Sequence, residues 1–277
     1  MVNQCRKENH NKNWILNGNT KKICSGCVDL RLIDDDFMAA VFEDRTCAEF
    51  LLQIILKRDD LTVKEVHGQY SIKNLQGRSI RLDILAVDQK NRAYNIEVQR
   101  SDRGASEKRA RYNSSLLDAN LTDAGDDYDA LNETYVIFIT ENDVLKAGLP
   151  IYHVERTVQE TGTVFNDQAH IVYVNSQIKD ETALGKLMHD FFCTNSKDMY
   201  YPVLANRVWY FKENEKGVAT MCRAMEQMRD ETAAEQNIKT LLVSVKNLMK
   251  NMNLSPEQAM NAMGISEADR QALLQLL

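Results

Sequence analysis

Residues 80–99 constrain this chain more than any other stretch. They read Ile80-Arg81-Leu82-Asp83-Ile84-Leu85-Ala86-Val87, then Asp88-Gln89-Lys90-Asn91, then Arg92-Ala93-Tyr94-Asn95-Ile96-Glu97-Val98-Gln99. Two β-rich runs around a polar turn make a β-hairpin. In the second run Tyr94, Ile96 and Val98 share one face, and Asn95, Glu97 and Gln99 share the other. In the first run Ile80, Leu82 and Ile84 lie together, opposite Arg81 and Asp83. A loop formed by Gln89, Lys90 and Asn91 sets Asp83 across from Glu97, with Cβ atoms roughly 4.5–5.5 Å apart. A loop shorter or longer by one residue offsets the pair. Carboxylates that close repel unless a cation lies between them or one is protonated. A divalent cation removes the repulsion, and Mg²⁺ takes carboxylate oxygens while keeping several waters. The hairpin therefore reads as a metal site. The competing reading is an open antiparallel face carrying scattered solvated charge.

The 277 residues suffice for one large domain or two smaller ones. A net charge of −6 argues against general, charge-driven coating of nucleic acid but leaves room for a local basic groove. Only 3 prolines and 11 glycines occur, too few for long flexible linkers. Residues 1–22 are polar and lack the apolar core of a secretory signal. No stretch approaches the roughly 18 apolar residues of a membrane span. The expectation is a cytoplasmic protein with no membrane partner. The cysteines, Cys5, Cys24, Cys27, Cys47, Cys193 and Cys222, then read as reduced thiols. Cys24 and Cys27 form a C-x-x-C pair that, with Cys5 and His10, allows a zinc site. An Asn/Lys-rich leader with incidental cysteines is the plainer reading.

Periodicity divides the chain into a loose leader over 1–32, a main domain over 33–215 and a helical tail over 216–277. Asp34-Asp35-Asp36 offers caps for a short helix, Phe37 to Phe42. Thr46 to Lys57 is a strong helix with an apolar stripe of Phe50, Leu51, Ile54 and Ile55. Strands follow near 63–73, 79–87 and 93–99, the first turn falling at Asn74 to Arg78. A helix near 105–119 comes next. Tyr135 to Ile139 is almost wholly apolar, as in a strand covered on both faces. A second hairpin, 151–159 with 169–175, turns near Gly162, and Thr182 to Phe192 is helical. In the tail, Met221, Met225 and Met228 form a stripe of core or helix-packing type. Ser255-Pro256 starts a helix, and Gly264 with Ser266 marks a stop and a new cap, a pattern similar to a helix-turn-helix.

The chemistry gathers around Asp83, Glu97 and Gln99, with Glu49 or Gln53, one turn apart on the preceding helix, reaching in. Just downstream, Arg100, Arg103, Lys108, Arg109 and Arg111 outnumber Asp102 and Glu107. Arg109 and Tyr112 share a helical face. A metal held by carboxylates beside a basic helix suits phosphodiester hydrolysis, since the metal activates water and arginine grips phosphate. Gln99 is neither acid nor base at neutral pH but can orient water or a phosphate oxygen. A solvated basic face is the alternative for each of these cations.

These residues resemble the PD-(D/E)XK nuclease superfamily, in particular its transposase-like, recombination-promoting group in bacteria. The segments that carry the resemblance are Asp34 to Met38 with Val41-Phe42, Phe50 to Leu56, Arg81 to Ala86, Asn95 to Gln99, Lys108 to Tyr112 and Tyr135 to Ile139, in the family's order. It covers about residues 32–215. The resemblance implies an α/β fold: a restriction-endonuclease-like αβββαβ core, its mixed sheet flanked by helices, here followed by a helical C-terminal tail. It implies a metal-dependent DNA endonuclease, of mobile-element or defence type, in which Asp83, Glu97 and the Val98 carbonyl hold Mg²⁺, or Mn²⁺ in its place. Gln99 stands where many members carry a catalytic lysine. Glu49 fits the first acidic position by type, Gln53 by place. Arg109, Tyr112, Arg111 and Arg100 are the expected DNA-binding residues. A second reading is a decayed nuclease that binds DNA or a protein. A third is an assembly protein whose tail forms a homo-oligomer.

Overall fold

A computed structural model describes residues 14–17, 21–24, 29–72, 79–100, 102–123 and 125–277. The chain divides into two compact units, Met1–Met221 and Cys222–Leu277. Within the first, β1 (Trp14–Asn17) and β2 (Lys21–Cys24) form a small antiparallel sheet inside the expected leader. Cys5, His10 and Cys27, three of the four residues of the zinc reading, lie outside the described residues, as does the turn expected at Asn74 to Arg78.

The leader also ends earlier than its composition suggests. Leu32 and Ile33 are fully buried. The buried Lys212 ammonium donates to the carbonyls of Leu30 and Thr194, tying this segment to the domain. Helix α1 (Asp35–Phe42) follows Asp34, whose carboxylate turns back to the Arg31 backbone N–H, 2.8 Å away, instead of capping the helix. Helix α2 (Arg45–Leu56) is capped by Asp44, which accepts from the backbone of Thr46 and Cys47. It ends at Lys57 in the left-handed conformation.

The main sheet has six strands in the order β3 (Val63–Ile72), β4 (Ile80–Asp88), β5 (Ala93–Gln99), β6 (Thr134–Thr140), β8 (Ala169–Asn175), β7 (Ile151–Val154). β3, β4 and β5 form an antiparallel meander, β5, β6 and β8 are parallel, and β7 returns antiparallel to β8. Helix α3 (Glu107–Leu121) makes the crossover from β5 to β6. Parallel neighbours require such a crossover, and it covers the sheet. This is why β5, whose sequence suggested one polar face, is buried along both. The order α1, α2, β3, β4, β5, α3, β6 is a restriction-endonuclease-like αβββαβ core.

Helix α4 (Ala183–Phe192) starts at its Thr182 cap as expected. Helix α5 (Pro202–Glu213) is an addition to the expected elements; its signal was Pro202 in the first turn. Helix α6 (Glu215–Met252) continues into the second unit. There Val245 of α6 packs with Ala259 and Met260 of α7 (Pro256–Ala262), Ile265, and Leu273 of α8 (Glu267–Leu274). Ser255 and Gln258 close a capping box, Gly264 adopts φ +63°, and Ser266 caps α8. Of the methionine stripe, Met221 is buried while Met225 and Met228 are partly exposed. Among the described residues no helix is long and apolar enough to cross a membrane.

Candidate active site

The turn between β4 and β5 fixes the register of the site. Asp88 N–H donates to the Arg92 carbonyl and Asn91 N–H to the Asp88 carbonyl, each at 3.0 Å. Gln89, Lys90 and Asn91 are therefore the loop, closed by Asn91 at φ 58°. The Asp88 carboxylate accepts from Lys90 N (2.8 Å), Arg92 N (2.9 Å), Arg92 Nε (2.6 Å) and the Tyr94 hydroxyl (2.9 Å). From this clamp the register runs to Ile84 opposite Ile96. One further step sets Asp83 opposite Glu97.

The ladder stops at that step. Hydrogen-bonded pairs alternate along an antiparallel ladder, so Leu82 and Val98 are next in turn. Instead, the Val98 N–H donates to Asp83 Oδ2 at 3.0 Å. Leu82 and Leu85 both join the apolar cluster formed with Leu116 and Leu117 of α3. Strict alternation would send them to opposite faces, yet both reach that cluster while β4 stays in register with β3. The β4–β5 pairing ends here, and this opening is the candidate cleft.

Both acids at the opening are under electrostatic stress. Burial pushes the Glu97 carboxyl well up, and the charge of Asp83 pushes it further; Arg109 opposes both. Burial likewise raises Asp83, opposed by the Val98 N–H and reinforced by the charge of Asp35. Glu97 is 1% exposed. Its Oε2 accepts from Arg109 Nη2 at 2.9 Å, and its Oε1 is buried without a hydrogen-bond partner. An unpaired buried acceptor of this kind costs about 1–3 kcal/mol.

Gln99 closes the cluster: its Nε2 lies 3.5 Å from Glu97 Oε2 and its Oε1 3.5 Å from Arg109 Nη1. Space for this amide comes from Gly104, in the short 3₁₀ turn Asp102–Ala105. A Cβ there would lie 1.7 Å from Gln99 Oε1. Arg109 and Gly104 are thus paired supports of Gln99.

The other candidates are placed elsewhere. Glu49 Oε2 accepts from the Val63 N–H at 2.8 Å, and Gln53 Nε2 donates to the Leu61 carbonyl at 2.9 Å. Val63 pairs with Asp88, so this anchor lies at the far end of β4, about 16 Å along the strand from Asp83 at roughly 3.3 Å per residue. Glu49 and Gln53 fasten the α2–β3 connection and stay outside the cluster. The early acid whose charge does reach Asp83 is Asp35, in the first turn of α1, its own carboxyl raised by burial and by Asp36. The run Asp34-Asp35-Asp36 was its signal, hidden because such a run also reads as helix caps. Arg100 is held at the rim by Asp34 (3.0 Å) and Glu141 (3.1 Å). Tyr112 packs against the apolar cluster under α3 and is only partly exposed. Arg111 is exposed, two residues from Arg109 and so on another side of α3.

The donor set at the cleft is all oxygen: the Asp83 and Glu97 carboxylates and the nearby Val98 backbone. Hard cations such as Mg²⁺ and Mn²⁺ favour such ligands. Asp35, Asp83 and Glu97 do not form a trio with all ligand atoms within 4.8 Å. Among the described residues only His189, Asp190 and Cys193 do so. Those three are accounted for locally: Asp190 accepts from the backbone of Tyr200 and Tyr201, and the Cys193 thiol lies 3.5 Å from the His189 carbonyl.

In comparison with known proteins, the family model described as PD-(D/E)XK nuclease family transposase matches residues 47–189, just over half of the chain. No curated protein and no solved structure gives a significant match.

Proposed function

Because the chain belongs to the PD-(D/E)XK nuclease family transposases, we propose that it is a divalent-cation-dependent DNA endonuclease serving a mobile element. The observation that carries this reading is the frustrated pair at the strand opening: half-buried Asp83 and fully buried Glu97, each raising the cost of the other's charge. Asp83, Glu97 and the Val98 carbonyl would hold Mg²⁺ or Mn²⁺, with Asp35 approaching from α1. When bound, such a cation lowers the pKa of its water and offsets charge on the phosphate oxygens. The residues of the chain do the rest. Gln99 orients the attacking water through its amide. Arg109, now paired with Glu97, can turn its guanidinium to a phosphate in two-pronged fashion. Arg100 and Arg111 lie too far round the rim or the helix for that task and contribute to DNA affinity through charge alone.

The test is nicking of supercoiled plasmid by the purified full chain in Mg²⁺, Mn²⁺ or chelator, wild type beside Asp83→Ala. Nicking that needs the cation and vanishes in the variant is the expected result. Equal nicking by both proteins would remove Asp83 from the site. No nicking by wild type in either cation, with DNA still bound, would favour the second reading, a binding module; the uncharged Gln99 is the feature that favours it.

A further inference from the structure

Two asparagines where α3 meets β5 take no part in the chemistry above, yet both are buried. Asn95 is 0% and Asn113 1% exposed. Neither side-chain amide makes a hydrogen bond of normal geometry, on oxygen or on nitrogen. Glu97 Oε1 shares that condition.

The packing brings these groups together. Arg109, Asn113 and Leu117 are spaced by four and form one ridge of α3. At one end Arg109 reaches Glu97. At the other, Leu117 packs in the cluster that contains Ala93. Along β5, Ala93, Asn95 and Glu97 share a face. Laid ridge on strand, Asn113 falls over Asn95, next to Glu97. Asn95 lies near enough to favour the charged form of Glu97, though poorly aligned for a direct bond. The surrounding layer is apolar, with Ala110, Val136 and Phe138 on one side and Leu116 and Leu117 on the other. Packing alone would be better served there by leucine or valine. Buried polar groups so grouped are characteristically completed by an ordered water with two to four polar partners.

We propose that Asn95 and Asn113 together hold an ordered water that donates a hydrogen bond to Glu97 Oε1, which makes the two asparagines positioning residues for that carboxylate. An asparagine Nδ2 donates to the water oxygen, and the two water protons go to Glu97 Oε1 and to an asparagine Oδ1. With Oε1 so fixed, the carboxylate plane is fixed, and Oε2 is aimed into the cleft. The positioning role rests on the reading of Glu97 as a cation ligand; the water itself does not.

The experiment uses the full chain as wild type, Asn113→Leu, Asn113→Ser and the double variant Asn95→Leu/Asn113→Leu. Melting is followed with and without Mn²⁺, alongside plasmid nicking. A bound cation raises the melting point by mass action. Asn113→Leu is expected to lose most of that rise and about tenfold or more in nicking, the usual scale for a residue that orients a ligand. Asn113→Ser leaves room for the water and a hydroxyl to hold it, and restores most of both. In chelator the double variant melts above Asn113→Leu, since no amide is left unpaired, but stays deficient in its response to Mn²⁺. A changed melting point with an unchanged Mn²⁺ response in Asn113→Leu would overturn the positioning role and leave Glu97 a ligand. A wild type that ignores Mn²⁺ would overturn the cation site and the positioning role with it. The water is read separately, by NMR cross-relaxation between the Asn113 side-chain amide and a long-lived water in wild type; its absence would overturn the hydration site whatever the cation does.

Discussion

At the closed end of the β4–β5 hairpin, Asp88 is 1% exposed and receives donors from Lys90, Arg92 and Tyr94. Burial pushes its carboxyl up, but the Arg92 and Tyr94 donors outweigh burial and hold it below the usual range. At the open end, Glu97 is buried as well and Asp83 half-buried, with fewer donors and each other's charge, and both are raised. The same pair of strands thus carries a satisfied acid and a dissatisfied pair. Asp88 and Glu97 are equally buried, at 1% exposure; what separates them is the supply of donors. A sequence specifies a fold most fully where local rules agree, and the exceptions gather where function is built. The closed end sets the register, and the open end carries the candidate site.

Removing a charge from each end gives the sharpest contrast. Asp88→Ala leaves Arg92, 8% exposed, without its counter-ion. Breaking a buried pair in this way costs about 3–5 kcal/mol, readable as a lower urea midpoint, while nicking per folded molecule is unchanged. Asp83→Ala should do the reverse: a melting point in chelator close to wild type, because relief of the repulsion on Glu97 offsets the lost bond from the Val98 N–H, and no nicking. Similar stability losses in the two variants would dissolve the comparison.

The pH dependence of stability follows from the same pair. A carboxyl raised in the folded state binds more protons there than in the unfolded chain. Stability therefore falls as pH climbs from the ordinary carboxylate range, near 4, through the raised folded values. Melting in chelator should drop steadily from pH 5 to 8. Mg²⁺ should flatten the slope by holding both carboxylates ionised. Asp88 has the opposite sign, its contribution being lost only as pH falls below the ordinary range. A flat profile in chelator would show that Asp83 and Glu97 are ordinary acids.

The two ends were not equally legible in the sequence. The turn residues Asp88 to Asn91 carry their own chemistry, so the hairpin was legible, and a three-residue loop facing Asp83 with Glu97 was one of the registers that local rules allowed. Asn95, Glu97 and Gln99 were visible as a polar face, but whether that face met solvent or α3 depended on a crossover no local pattern encodes. Asp35 stayed hidden because an acid at a helix start reads as a cap. Glu49 and Gln53 looked suitable by type and spacing, and only the path of β3 shows that they point to the wrong end of the hairpin. Gly104 gave no signal, for its role is to leave space beside a residue of another element.

That space makes the next contrast. Gly104→Ala should drive the Gln99 amide off Glu97 and Arg109, since the new Cβ would lie 1.7 Å from Gln99 Oε1. The amide is the far end of a flexible side chain, so it can swing aside at little cost to the fold. Melting should change by a degree or two, and nicking should fall about tenfold if Gln99 orients the water, on the scale of a misplaced positioning group. Unchanged nicking would take Gln99 out of the mechanism.

The smallest effect belongs to the residues that resembled site acids and lie at the closed end. Glu49→Ala removes the acceptor of the Val63 N–H. Water can reach this half-buried group, so the loss should be that of a single hydrogen bond, about 1 kcal/mol, with no change in nicking or in the Mn²⁺-induced rise in melting. Asp35→Ala gives the opposite result: it takes a charge away from Asp83, leaving stability in chelator level or higher while weakening the response to Mn²⁺. Run side by side, the two variants decide which acid of the early helices faces the cleft. A Glu49→Ala protein that folds but no longer responds to Mn²⁺ would mean the two ends of the hairpin are coupled, and the division between them drawn above would fail.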